Sequence, residues 1–299
     1  MTALETPTSG PGGAVAAAPP PPKGTFTRAR LFNGVCIGVL IAFALLWVVP
    51  LLWAVDTSLK PEGETTKVPV TWLIDSPTIE AYTKVIGAGN LLQWYANSAI
   101  ISTIIATMAV VVGSMAGFAL SRIRFRGSNA VFWFILAGIM IPGEALIVPL
   151  FREFSAVGAI DTYWAVILPQ IPVPIAVFIF KQFFDGIPRE LEEAALVDGA
   201  SRFRIYAQLF VPLSRPAISA VAIFTFVWSW NNFLWPLLVL TSNPLMTLPV
   251  GLATVSSAYG IQYAQIMASA VLGALPLMVV FLLFQRRIVE GIARTGLKG

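Results

Sequence analysis

Histidine is absent from the 299 residues, and cysteine occurs once, at Cys36. No disulfide can form within the chain, and zinc or haem ligation has no ligand set to draw on, so no metal site is expected. His-based acid–base catalysis and the commonest proton-relay residue are missing with it. A phosphate-cradling GxxxxGKS/T is lacking too, so any ATP hydrolysis would have to come from another chain. Charge is scarce: 11% of residues are Asp, Glu, Lys or Arg, about half the fraction of an ordinary soluble domain. Apolar residues fill the space. With 57% hydrophobic residues and a mean hydropathy of +0.80, the sequence predicts an all-α integral membrane protein with room for about six spans of roughly 20 residues each. The net charge of +4 then reflects the positive-inside rule, not nucleic-acid binding.

Residues 1–24 are rich in Pro, Gly, Ala and Thr, with four prolines at 19–22, and cannot bury a core. They are expected to be a disordered cytoplasmic tail on a single membrane domain at 25–299. Transmembrane helices are expected at about 35–55 (with Pro50 as a kink), 98–120, 130–150, 163–180, 218–235 and 266–283. The first run is too long for the apolar core of a secretory signal. Residues 236–263, interrupted by Ser242-Asn243-Pro244 and Pro249, are expected outside and partly re-entrant. This layout puts all but Lys60, Lys67, Lys84 and Arg152 of the 19 basic residues on one side. By the positive-inside rule that side, with both termini, is the cytoplasm.

One long polar stretch, Arg189–Pro212, lies between apolar segments. Glu190, Glu192 and Glu193 follow Pro188 at the positive end of a helix dipole. Leu191, Ala194 and Ala195 fall on one narrow apolar face. Gly199 permits a sharp turn, Ser201 can cap a second helix carrying Phe203, Tyr206 and Phe210, and Pro212 stops it. A surface helix pair of this kind suits docking into a partner's groove.

The run Glu193-Ala194-Ala195, then Gly199, Leu209 and Pro212, resembles the EAA loop of permease subunits of binding-protein-dependent ABC importers. Ser58-Leu59-Lys60-Pro61, the basic loop Ser121–Gly127, the Trp-Asn-x-Phe-Leu segment at 230–234 and the glycine-rich tail with Gly296, Lys298 and Gly299 are similar to the maltose-type carbohydrate permeases. Leu209 and Val211 stand where that family usually has isoleucine and leucine. The resemblance implies six transmembrane helices with a cytoplasmic coupling helix between the fourth and fifth, in a bacterial cytoplasmic membrane. It also implies four kinds of partner: a second permease, an ATPase dimer, an extracytoplasmic sugar-binding protein and membrane lipid. ATP and Mg would be held by the ATPase, with no cofactor bound by this chain. Glu193, Ala194, Ala195, Gly199, Arg202 and Pro212 would then couple to the ATPase, and Gly296, Lys298 and Gly299 would contact it.

Candidates for a sugar path are Glu144, Trp230, Asn231 and Asn232. Aromatic faces stack on sugar rings and amides or carboxylates pair with hydroxyls. Two readings of Glu144 are open: a polar group in the path, or a carboxylate near a helix end, solvated or neutralised by Arg152. Trp235 fits an interfacial aromatic belt, and the asparagines fit either the path or interhelical hydrogen bonds. Arg202 and Arg204 fit acids on an ATPase or the lipid surface. A self-sufficient secondary transporter is the alternative, and it calls for buried ionisable groups and inverted repeats, of which only Glu144 is found. A membrane-bound transferase would need a carboxylate cluster; 190, 192 and 193 suit helix capping better.

Overall fold

The computed structural model describes residues 24–69, 71–87, 89–258 and 261–296, without side-chain detail at 24–29, 31, 256–258 and 286–296. The expected tail at 1–23 and the C-terminal Lys298 and Gly299 lie outside the described residues, as does the side-chain environment of Gly296. All regular structure among the described residues is helical. The described residues fall into two units, one ending at Leu52 and the other beginning at Trp53; helix α1 (Gly24–Ser58) has Pro50 inside it. From Phe32 to Leu52, α1 is apolar and exposed on all sides, as a helix facing lipid should be.

In the second unit, two short helices, α2 (Glu62–Thr65) and α3 (Glu80–Gly87), precede α4 (Leu91–Arg122). α4 begins at Leu91, not Ser98, because Trp94 and Asn97 in its first turns are held by the chain around 243–246. α5 (Ser128–Ala137) and α6 (Ile147–Ala156) follow. In place of the straight helix expected at 130–150 they form a bent pair: the segments Ser128–Met140 and Gly143–Ala156 meet at 94°. Ile141 is extended there because the ring of Pro142 bars the helical region to the residue before it. Val173 before Pro174 has the same cause and gives a 43° bend between Tyr163–Gln170, which contains α7 (Tyr163–Ile167), and α8 (Pro174–Asp185).

α9 (Arg189–Val197), α10 (Arg202–Leu213) and α11 (Arg215–Trp230) come next, with α10 and α11 crossing at 78° across Ser214. α10 contains a π-turn over Tyr206–Phe210 and ends one residue beyond Pro212. The fifth span therefore stops at Trp230, not Trp235, and the chain turns before α12 (Leu234–Val239). α13 (Leu248–Ala258) and α14 (Tyr263–Gly296) complete the order. Among the described residues three helices are long and apolar enough to cross a membrane, Phe32–Ser58, Leu91–Arg122 and Tyr263–Gln285, and three bent pairs qualify jointly.

α4 is the axis on which the second unit packs. Its first turns carry Leu91 and Trp94, which join Leu248, Leu252 and Ala268. Its middle carries Ile101 and Ile105, packed with α7 and α12, and near its end Phe118 meets Phe180, Phe184 and Phe210. Gly113 and Gly117 let α8 approach closely: a Cβ at Gly117 would lie 2.8 Å from Phe180 Cβ and 2.9 Å from the Lys181 nitrogen. The stretch 236–263 is pinned to α4 by the Trp94 indole N–H donating to the Asn243 carbonyl (2.9 Å) and by the Asn97 amide donating to the Pro244 and Met246 carbonyls (2.8 Å each). Ser98 Oγ accepts from the Leu248 N–H at 2.8 Å. The non-helical backbone here has its polar groups satisfied by side chains of α4.

Candidate functional site

The loop at 189–213 is two helices joined by a Schellman turn. The Gly199 N–H donates to the Leu196 carbonyl and the Ala200 N–H to the Ala195 carbonyl, each at 3.0 Å, with Gly199 at φ +76°. That pattern needs a left-handed residue after the helix, which glycine adopts without a Cβ penalty. Ala195 and Ala200 both pack on the Phe180–Phe184–Phe210 cluster, the apolar contact that usually accompanies such a turn. Ser201 caps α10, its Oγ accepting from the Arg204 N–H at 3.3 Å. Glu193 and Ala194 are exposed, as are Val197 and Phe203, so the outer surface of the pair carries apolar side chains among charged ones.

Glu192 points the other way. It is 7% exposed and lies between two guanidinium groups: Arg122 at the end of α4, 3.6 Å away, and Arg202 at the start of α10, in direct ion-pair contact. Arg122 also donates to the Phe184 and Ile187 carbonyls and stacks 4.9 Å from the Phe210 ring centre. One arginine thus joins the ends of α4 and α8 to the loop. From the sequence Glu192 is expected as a dipole anion and Arg202 as a partner of an ATPase acid or the lipid surface; within the chain, Arg202 already has Glu192. Nothing in the spacing gave Arg122 this place.

A cavity of about 620 Å³ opens where α5–α6 bend away. Its lining brings Glu144, Asn231 and Asn232 together with Gln170, Trp228 and Trp235. Asn232 donates to Gln170 Oε1 at 3.0 Å, Gln170 donates to the Val166 carbonyl at 2.9 Å, and Asn231 donates to the Val227 carbonyl at 2.8 Å. Trp230 is not at this cavity. It is buried against Phe226, with centroids 5.7 Å apart, and borders a second, apolar space of about 1270 Å³ between α11, α13 and α14. Trp235 is a core residue, not part of an interfacial belt: its indole donates to the Ala165 carbonyl at 2.9 Å and its ring is buried. Gln170 was missed, as a lone glutamine among three prolines has no periodic signal.

On the Thr162 side of the fold, the Asp161 carboxylate accepts the backbone N–H groups of Thr241 (2.8 Å) and Ser242 (2.9 Å) and the Ser242 hydroxyl. The Ser242 hydroxyl, then the backbone N–H groups, hold its pKa below the usual carboxylate value.

Residues 109–294, which include both the loop and the cavity, match the family described as "Binding-protein-dependent transport system inner membrane component". The arabinooligosaccharides transport system permease protein AraQ of Halalkalibacterium halodurans is 39% identical over 86% of this chain and 93% of its own length. The trehalose/maltose transport system permease protein MalG of Thermococcus litoralis is 31% identical over 87% and 94%. In fold, the chain is similar to the crystal structure of a bacterial ABC transporter involved in the import of the acidic polysaccharide alginate, with a TM-score of 0.72 at 20% identity, over 90% of this chain and 99% of that one. The all-helical fold of the described residues, with three helices long and apolar enough to cross a membrane and three bent pairs that qualify jointly, is therefore the ABC permease fold, and the chain belongs to the binding-protein-dependent transport system inner membrane components, which are transport subunits and not enzymes.

Proposed function

We propose that this chain is one of two permease subunits of a sugar-importing ABC transporter, with six spans, both termini cytoplasmic, a cytoplasmic tail at 1–24 and a membrane domain at 25–299. The observation that carries the coupling role is the outward face of α9–α10: Val197 and Phe203 are 88% and 69% exposed on a loop whose inward face is locked by Glu192. Glu193, Ala194, Ala195, Gly199, Arg202 and Pro212 form the docking element for an ATPase dimer, which supplies ATP and Mg; this chain binds no cofactor. Gly296, Lys298 and Gly299 add a second ATPase contact. Closure of the ATPase dimer moves the loop as a lever and turns the path from inward- to outward-facing.

Glu144, Asn231 and Asn232 line the sugar path, and Trp230 lies outside that cavity, on the separate apolar space between α11, α13 and α14. The relatives' names support an oligosaccharide as cargo, delivered by an extracytoplasmic sugar-binding protein. The test is affinity purification of the chain from its native membrane in mild detergent, with mass spectrometry of what comes with it. Recovery with an ATPase and a second permease is expected. A chain that comes out alone and still transports without ATP would overturn this reading in favour of a secondary transporter.

A further inference from the structure

The Glu144 cavity holds one ionisable side chain and no counter-charge. Among the described residues lining it, Glu144 is the only charged group, and its carboxylate has no ion pair or hydrogen bond. Arg152 does not line the space. The three amides that share it, Gln170, Asn231 and Asn232, each already give a hydrogen bond to a protein oxygen. What remains toward the cavity is the Glu144 carboxylate, the amide oxygens of the two asparagines and the second N–H of each amide nitrogen, with the carboxylate the one charged group among them. The exposed Trp228 ring supplies an aromatic face beside them.

We propose that Glu144 makes this cavity a charge filter, which takes neutral, hydroxyl-rich oligosaccharides and rejects oligosaccharides bearing carboxylates. The inference rests on the path reading above. Sugar hydroxyls are donors, and donation to a carboxylate is a charge-assisted hydrogen bond, stronger than a neutral one. A uronate carboxylate in the same space meets a like charge with no cation between them. At a separation of about 6 Å and an effective dielectric of about 20, that repulsion weakens binding by roughly a hundredfold. Glu144 is exposed, and at an effective dielectric of about 40 the figure falls to about tenfold.

The experiment uses the intact transporter, purified with its partner subunits, and titrates it with arabinotriose and with trigalacturonate while following tryptophan fluorescence. A Trp228→Phe variant identifies the part of the signal that comes from the cavity. Wild type is expected to bind the neutral trimer about tenfold more tightly than the uronate. Glu144→Gln should bring the two within about threefold, chiefly by strengthening the uronate, and Glu144→Asp, which keeps the charge, should keep the discrimination. Equal affinities in wild type, or a ratio that Glu144→Gln leaves unchanged while the neutral trimer still binds, overturns the filter and leaves the path standing. No binding of either trimer to wild type overturns both.

Discussion

Glu192 lies between Arg122, which is buried, and Arg202, which is half exposed. Removing it leaves the Arg122 guanidinium inside the protein with only carbonyls and a ring for company. Breaking a buried pair in this way costs about 3–5 kcal/mol, whereas losing a half-exposed partner costs about 1 kcal/mol or less. Glu192→Ala should therefore lower the thermal midpoint of the purified chain clearly, and Arg202→Ala barely; equal shifts would contradict the assignment of Arg122 as the anchoring partner. None of this was legible in the sequence, where Glu192 had only Glu190 and Glu193 as visible neighbours and Arg122 lies far upstream. Asp161 behaves differently because its partners are neutral. Its folded pKa is lowered by the Ser242 hydroxyl and the backbone donors, so its contribution is present above the unfolded value of about 3.9 and is lost as pH falls through the folded one. Hydrogen-exchange protection of the Thr241 and Ser242 amides should drop across that acid range in wild type. In Asp161→Asn, which tolerates the same φ of +63° and keeps one acceptor, protection should be lower at neutral pH and flat with acidification.

Between elements, the decisive contacts are backbone approaches. Gly117 meets Phe180 and the Lys181 backbone, and a Cβ on Gly251 would fall 2.2 Å from the Trp94 ring. Neither neighbour has room to give, since Phe180 and Trp94 are fully buried. Gly117→Ala and Gly251→Ala should each cost about 1–3 kcal/mol by forcing helices apart, and Gly251→Ala should also shift the fluorescence of the displaced Trp94; an unshifted midpoint in both variants would mean that α8 and α13 sit further from α4. Existence and rough extent of the spans were legible from hydropathy, because a membrane demands long apolar runs. The 94° break at Ile141–Pro142 was not, since Pro142 inside an apolar run reads equally as a kink in one span. Helix faces were hidden too, lipid-facing and protein-facing surfaces being alike in polarity. Gly113-x-x-x-Gly117, whose small-residue spacing suits a close helix crossing, was not read from the sequence either.

Across the whole molecule, the loop has two populations of side chain with different duties. Those turned inward, Glu192, Ala195 and Phe210, hold it to α4 and α8, while those turned outward, Glu193, Val197 and Phe203, touch little of this chain. The EAA resemblance drew attention to Glu193, Ala194, Ala195 and Gly199 as one motif, yet the structure divides them: Ala195 and Gly199 build the turn, and Glu193 and Ala194 are left on its surface. Substitutions should separate along the same line. Phe203→Ala removes an exposed ring, so the chain's own thermal midpoint should move by no more than about 0.5 kcal/mol equivalent. If that ring is an anchor in an ATPase groove, its loss costs about 2 kcal/mol or more of binding, and recovery of the ATPase in a pull-down should fall on the order of thirtyfold. Glu193→Lys should likewise leave the fold intact and uncouple ATP hydrolysis from uptake. A Phe203→Ala protein that unfolds more readily yet retains its ATPase would reverse the two duties and move the docking surface elsewhere on the molecule.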